Sequence, residues 1–128
     1  MFPKDWPHDC PEKSGAAPAS GVVFRVVKKN PLEEADFRTQ FEKKPKQPPS
    51  HPVSCEACGL SVLTDEKELE HHHELFPWQG RYVARGSLEG SHGKMKLLGG
   101  EIRSHHNWWS FTDVKRVAIF SLHREFDK

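Results

Sequence analysis

Residues 22–27 of this 128-residue chain, Val22-Val23-Phe24-Arg25-Val26-Val27, predict a buried β-strand near the start of the fold. β-Branched and aromatic side chains fill the run, which is typical of a strand covered on both faces. Its one charge, Arg25, is costly in a buried strand unless it meets an anion or a carboxylate. Two interpretations stay open. Arg25 holds an anionic ligand, or it pairs with an acidic residue close behind it in the sequence, namely Glu33, Glu34 or Asp36.

Two helices and a second strand are predicted between this strand and Pro77. Asn30-Pro31-Leu32-Glu33 is typical of a helix start, with an Asn N-cap and Pro in the first turn, and we expect that helix to end near residue 41. Residues 42–54 are rich in Pro and Lys, which indicates a loop that is either a solvated connection or a functional segment. Residues 60–63, Leu-Ser-Val-Leu, predict a short strand, and residues 64–76 a helix that the following proline ends.

The last fifty residues predict a β-rich half of the fold. Short apolar runs separated by glycines give strand candidates at residues 82–84, 95–98, 108–111 and 117–122. The whole order predicts an α+β fold, a single compact domain with a largely antiparallel, twisted sheet and two helices over residues 21–128. Residues 1–20 carry four prolines and a run of small residues, which indicates a flexible N-terminal arm.

Composition argues against several protein classes. The net charge is +1 with 29% charged residues, so there is no charge excess to drive general nucleic-acid or membrane-surface binding. No run approaches the ~20 apolar residues of a membrane span. The first residues lack a basic segment followed by an apolar one, so we expect no secretory signal and a cytoplasmic location.

Three cysteines, Cys10, Cys55 and Cys58, are an odd number, which does not indicate a disulfide framework. Cys55-x-x-Cys58 supplies two thiolates from one turn, which is half of a structural zinc site. Cys10 and a histidine of the 71–73 run, His73, would complete a set of four ligands. The alternatives are a redox pair and two buried thiols without a ligand.

A second cluster, residues 105–109, combines imidazoles with indoles. On a strand, alternation sends His105 and Trp109 to one face and His106 and Trp108 to the other. An imidazole beside an indole suits a planar ligand such as a base or nicotinamide, and two imidazoles suit the acid–base chemistry of a ribonuclease. The alternative is that the two tryptophans belong to the core.

The order of these elements over about residues 22–110 resembles the ADP-ribosyltransferase fold, a small α+β scaffold that binds NAD. The resemblance implies that Arg25 clamps the dinucleotide and that Ser61 organises the site. It also implies that Glu101 is the catalytic carboxylate, which would stabilise the oxocarbenium character of the transition state. The chain has no Ser-Thr-Ser run and no Glu-x-Glu or Gln-x-Glu motif at Glu101.

Three functions are therefore expected as alternatives. The first is a module that binds a small molecule or a protein and has no chemistry of its own. The second is an NAD-dependent ADP-ribosyltransferase or glycohydrolase. The third is a histidine-based nuclease or a zinc-stabilised domain.

Overall fold

An antiparallel sheet of seven strands forms the body of the protein in a computed structural model that describes residues 1–43 and 54–126. The order across the sheet is β1-β5-β6-β3-β2-β4-β7. The predicted α+β class with a largely antiparallel sheet is thus confirmed. Along the chain the strands are β1 (Ala17–Pro18), β2 (Gly21–Val27), β3 (Leu60–Leu63), β4 (Tyr82–Leu88), β5 (Gly93–Leu97), β6 (His105–Ser110) and β7 (Phe120–Glu125).

Three α-helices in the described residues are short: α1 (Gln40–Lys43), α2 (Leu69–Leu75) and α3 (Arg116–Ile119). The described residues also contain short 3₁₀ turns at Glu12–Ser14, Glu34–Phe37, Glu56–Cys58, Glu66–Glu68, Pro77–Gln79 and Gly90–His92. No helix among these elements is long and apolar enough to cross a membrane.

The helix predicted from Asn30 to near residue 41 forms instead as a 3₁₀ turn, Glu34–Phe37, followed by α1, because each has its own capping interaction at its start. The carboxylate of Asp36 accepts the backbone N–H of Glu33 and closes the first turn. Thr39 and Glu42 then bond to each other's backbone N–H groups, at 2.9 and 3.2 Å, and start α1. Most of the predicted loop at residues 42–54 lies outside the described residues.

Consecutive tryptophans on β6 build the core on both faces of the sheet. Trp108 packs with Phe37 and Phe120 on one face, whereas Trp109 packs with Trp6 and Cys58 on the other. Each indole is at most 2% exposed. At 150–250 Å² per ring, this burial contributes roughly 4–6 kcal/mol each before entropy is counted.

The N-terminal segment, predicted as a flexible arm, packs against the sheet. Trp6 and Cys10 are buried, and β1 pairs with β5 through Ala17 and Pro18. A disulfide joins Cys10 to Cys55 across 45 residues of sequence. The expectation that the cysteines form no disulfide framework is therefore wrong for Cys10 and Cys55, and the remaining free thiol in the described residues is Cys58. Because disulfides are rare in the reducing cytoplasm, the bridge weakens the case for a cytoplasmic location, which stays a prediction.

Reduction of the disulfide is expected to lower the free energy of unfolding by about 4 kcal/mol, since it releases a loop of this length in the unfolded chain. Urea titrations with and without dithiothreitol measure the effect. The control, Cys58→Ala, should respond to dithiothreitol as the wild type does, and a Cys10→Ser, Cys55→Ser double variant should not respond. Equal stability of the wild type in both buffers would contradict the bridge.

Candidate functional site

The ladder between β2 and β3 is limited to one residue pair, Phe24 with Leu63. On its other side, β2 pairs with β4 along its whole length. Arg25, the next residue, takes the place of the missing ladder. Its Nε donates to the carbonyl of Asp36 at 2.8 Å, and its Nη1 donates to the carbonyl of Ser61, also at 2.8 Å. The side chain is half-buried and joins β2 both to β3 and to the turn before α1.

The Arg25 guanidinium has no salt bridge to a carboxylate within residues 1–43 and 54–126. Both oxygens of the Asp36 carboxylate accept backbone N–H groups instead, from Lys28 and Glu33, at 3.0 and 3.1 Å. One interpretation of the sequence was that Arg25 forms an ion pair with an acidic residue close behind it. The structure shows instead a hydrogen bond from Arg25 to the main-chain carbonyl of Asp36. Burial lowers the pKa of Arg25 to about 10, with Asp36 opposing that change, so the group stays protonated at neutral pH.

A cleft of about 440 Å³ opens over Arg25. Its walls carry three further cations, Lys28, Arg38 and Lys43, against one carboxylate, Glu56. Burial, and then repulsion from Arg25 and Lys28, lower the pKa of Lys43. The cleft therefore presents a positive potential that its own residues do not neutralise.

Ser61 and His105 also line the cleft, with Ser61 Oγ and His105 Nε2 2.7 Å apart. They meet because β3 and β6 are antiparallel neighbours: Ser61 lies opposite Asn107, and His105 is two residues along on the same face. Burial lowers the pKa of His105, while the carboxylate of Glu56 and the main chain of Gly99 act in the opposite direction. The ring is therefore neutral near pH 7.

One wall of the cleft is the turn that contains Cys55-x-x-Cys58. Asn107 Nδ2 donates to the Glu56 carbonyl at 3.0 Å, and Trp109 Nε1 donates to the Cys55 carbonyl at 2.8 Å. A Cβ atom at Gly59 would lie 2.1 Å from Asn107 Nδ2, so glycine is required for this approach. Two side chains of β6 thus fix the position of Glu56.

A buried histidine lies behind the opposite wall. His72 Nε2 and the Gln79 side-chain oxygen are 2.8 Å apart, and Gln79 lines the cleft. Burial lowers the pKa of His72, and the Gln79 bond opposes this; the charge of Arg25 lowers it further. His72 is therefore neutral near pH 7 and orients Gln79.

The structure brings together two of the three residues predicted as catalytic. Arg25 and Ser61 line the cleft, but Glu101 does not. The Glu101 side chain is 79% exposed and faces His71, with Nε2 and Oε2 3.7 Å apart. Glu101 is therefore not part of the cleft that contains Arg25 and Ser61.

The predicted ligand-binding cluster of four residues is divided between different surroundings. His105 lines the cleft, whereas Trp109 is buried under the N-terminal segment. Trp108 lies in the core of the opposite face, with its Nε1 bonded to the carbonyl of His92 at 3.1 Å. His106 shares that face by alternation. The grouping of an imidazole with an indole as a ligand site is thus wrong for both pairs, because both indoles are core.

The predicted zinc ligands do not form a site. The sulfurs of Cys10 and Cys55 are bonded to each other, and burial raises the pKa of the Cys58 thiol to about 11, which keeps it protonated. His73 stacks on Phe126, with ring centroids 4.1 Å apart. In the described part of the chain, no group of three or more His, Cys, Asp or Glu side chains is arranged to hold a metal ion.

Sequence reasoning missed Lys28 and Arg38. Lys28 directly follows β2, whereas Arg38 follows the turn at Glu34–Phe37, where the sequence predicted the interior of a helix. The adjacent pair Lys28-Lys29 directly after a buried strand was the available signal.

Protonation of His72 is expected to destabilise the fold as the pH falls. Its folded-state pKa lies below the ordinary value of about 6.5, so the unfolded chain takes up the proton first and stability decreases below that pH, by at most about 1.4 kcal/mol per pH unit. Urea unfolding of the wild type and His72→Gln at pH 7.5 and 5.5 measures the difference. The variant should lose less stability, and the exposed-site control His71→Gln should behave as the wild type. Equal losses in wild type and His72→Gln would contradict this role.

Searches of protein-family models, curated proteins and solved structures found no match to this chain. The resemblance to the ADP-ribosyltransferase fold stays a prediction that rests on the order of elements and on Arg25, Ser61 and Glu101.

Proposed function

We propose that the protein is a binding module for a small anionic ligand, which it holds in the cleft over Arg25. The observation that carries this proposal is the half-buried guanidinium whose hydrogen-bond partners are main-chain carbonyls. A cation removed from water is stabilised by a counter-charge, and in the described residues Asp36 acts on Arg25 from nearby without forming a direct ion pair with it. A phosphate or carboxylate supplied by a ligand would fill that role with bidentate geometry.

The size and rim of the cleft support a ligand with a planar group attached to its charge. Its volume, about 440 Å³, falls within the range of small-molecule sites. Trp78 lines the rim and is 68% exposed, so one face of its indole is available for stacking. A nucleotide carries both features, and NAD is one ligand of this kind. With Glu101 outside the cleft, the arrangement supports binding rather than transfer of ADP-ribose.

Binding of pyrophosphate, ADP and NAD is tested by calorimetry at constant ionic strength. We expect saturable binding of at least one of these ligands, and tighter binding of ADP than of pyrophosphate if Trp78 stacks on the base. Arg25→Gln should weaken binding by about 10- to 100-fold, the loss expected for a charge-assisted hydrogen bond. The matched control, Arg85→Gln, removes an exposed arginine of β4 outside the cleft and should not change the affinity.

A second variant keeps the test decisive if Arg25→Gln fails to fold. Arg38 and Lys43 are exposed at the rim, so an Arg38→Gln, Lys43→Gln double variant should fold and still lose several-fold in affinity. No binding of any of the three ligands to the wild type would contradict the proposal. So would an unchanged affinity in both folded variants.

A further inference from the structure

The contact between Ser61 and His105 lies in the cleft but has no part in holding an anion. Its 2.7 Å separation between Oγ and Nε2 is the distance at which an imidazole accepts the proton of an attacking hydroxyl. Both side chains are half-buried and line the same cleft, so a ligand can reach the hydroxyl. We propose that Ser61 and His105 are a nucleophile–base pair that hydrolyses a carboxylic ester bearing an anionic group. This proposal rests on the proposed anion site for its substrate class.

The protonation state of His105 suits a general base. Burial favours the neutral ring, and the Gly99 main chain favours the protonated one. With its proton on Nδ1, the neutral ring presents the lone pair of Nε2 to the Ser61 hydroxyl. The other charged or titratable groups that act on the ring are Glu56, His106 and His72.

Arg25 fixes where the anionic group of the substrate lies. Its Nη1 donates to the carbonyl of Ser61 itself, so the guanidinium is within one residue of the nucleophile. An anion bound by Arg25 is therefore close to the ester carbonyl that Ser61 attacks. The substrate class is thus an ester whose carboxylate or phosphate lies only a few bonds from the scissile carbonyl.

The reaction balances with water as the only co-reactant. Ser61 Oγ bonds to the acyl carbon while its proton moves to His105 Nε2. The bond between the acyl carbon and the leaving oxygen then breaks, and that oxygen takes the proton from Nε2 to give the alcohol. Water attacks the acyl group and gives a proton to Nε2; the bond to Oγ breaks, and Oγ recovers that proton. The products are an acid and an alcohol, and nothing is oxidised or reduced.

Two chromogenic esters of similar size test the proposal with the full chain: the 4-nitrophenyl half-ester of succinate, which is anionic, and 4-nitrophenyl butyrate, which is neutral. We expect kcat/KM to be at least about 10-fold higher for the half-ester. Ser61→Ala and His105→Ala should each lose at least about 100-fold on both esters. The control Ser87→Ala, an exposed serine of β4 outside the cleft, should leave the rate unchanged.

A fluorophosphonate probe gives a readout that a structural role would not produce. Ser61 Oγ would displace fluoride from phosphorus, its proton passing to His105, and mass spectrometry would find the added phosphonyl group on the peptide that contains Ser61. His105→Ala should abolish that label in a folded protein. Absence of label from the wild type, together with no ester hydrolysis, would overturn the pair even if pyrophosphate still binds.

Arg25→Gln separates the two proposals. If the pair is correct and the anion site is also correct, this variant loses the preference for the half-ester but still hydrolyses the butyrate. Hydrolysis of both esters at equal rates by the wild type would support the pair and overturn the anionic substrate class.

Discussion

The guanidinium of Arg25 stands where the hydrogen-bond ladder between β2 and β3 ends. Its two bonds, to the carbonyls of Asp36 and Ser61, connect β2 to the turn at Glu34–Phe37 and to β3. β2 and β3 pair only at Phe24 and Leu63, and the Arg25 side chain joins the two strands through its hydrogen bond to Ser61. The same group then supplies the charge at the floor of the cleft. One residue therefore connects the fold of the sheet to the chemistry of the site.

The wall of the cleft formed by the Cys55–Gly59 turn depends on contacts that are distant in sequence. The Cys55–Gly59 turn is held by Asn107 and Trp109 from β6 and by the disulfide from Cys10. Trp109 is in turn covered by Trp6. The N-terminal segment thus supports the cleft. The packing of Trp6 on Trp109 holds this segment against the sheet, and it also holds the turn that carries Glu56.

Local patterns were sufficient for some of the strands, but the strand predicted at residues 117–122 is wrong in its first half, where α3 (Arg116–Ile119) forms instead. The run at residues 22–27 and the four residues at 60–63 formed as strands because their side chains are β-branched or apolar and their ends carry turn residues. Alternation correctly separated Trp108 from Trp109. Arg25 was identified as a buried charge that needs a partner, and its partners in the fold are the carbonyls of Asp36 and Ser61.

Features that depend on tertiary contact were not predictable in the same way. No pattern shows that Cys10 lies beside Cys55, 45 residues away, or that both indoles of β6 are core. Both partners of Arg25 are main-chain carbonyls, at Asp36 and Ser61. Any residue at these positions would supply one, so no side-chain pattern could reveal these bonds. The Ser61–His105 contact depends on the register of β3 against β6, which sequence periodicity leaves undefined.

The most direct test of the account is a titration of ¹⁵N-labelled protein with pyrophosphate, observed at the side-chain Nε–H resonance of Arg25 by NMR. Because the Nε–H of Arg25 donates a hydrogen bond to the Asp36 carbonyl, we expect its signal to be resolved and its proton to exchange slowly with water. It should shift in a saturable way, together with the backbone amides of Ser61 and His105. An Arg25 signal that stays fixed while only exposed lysines respond would contradict the claim that this guanidinium binds an anion.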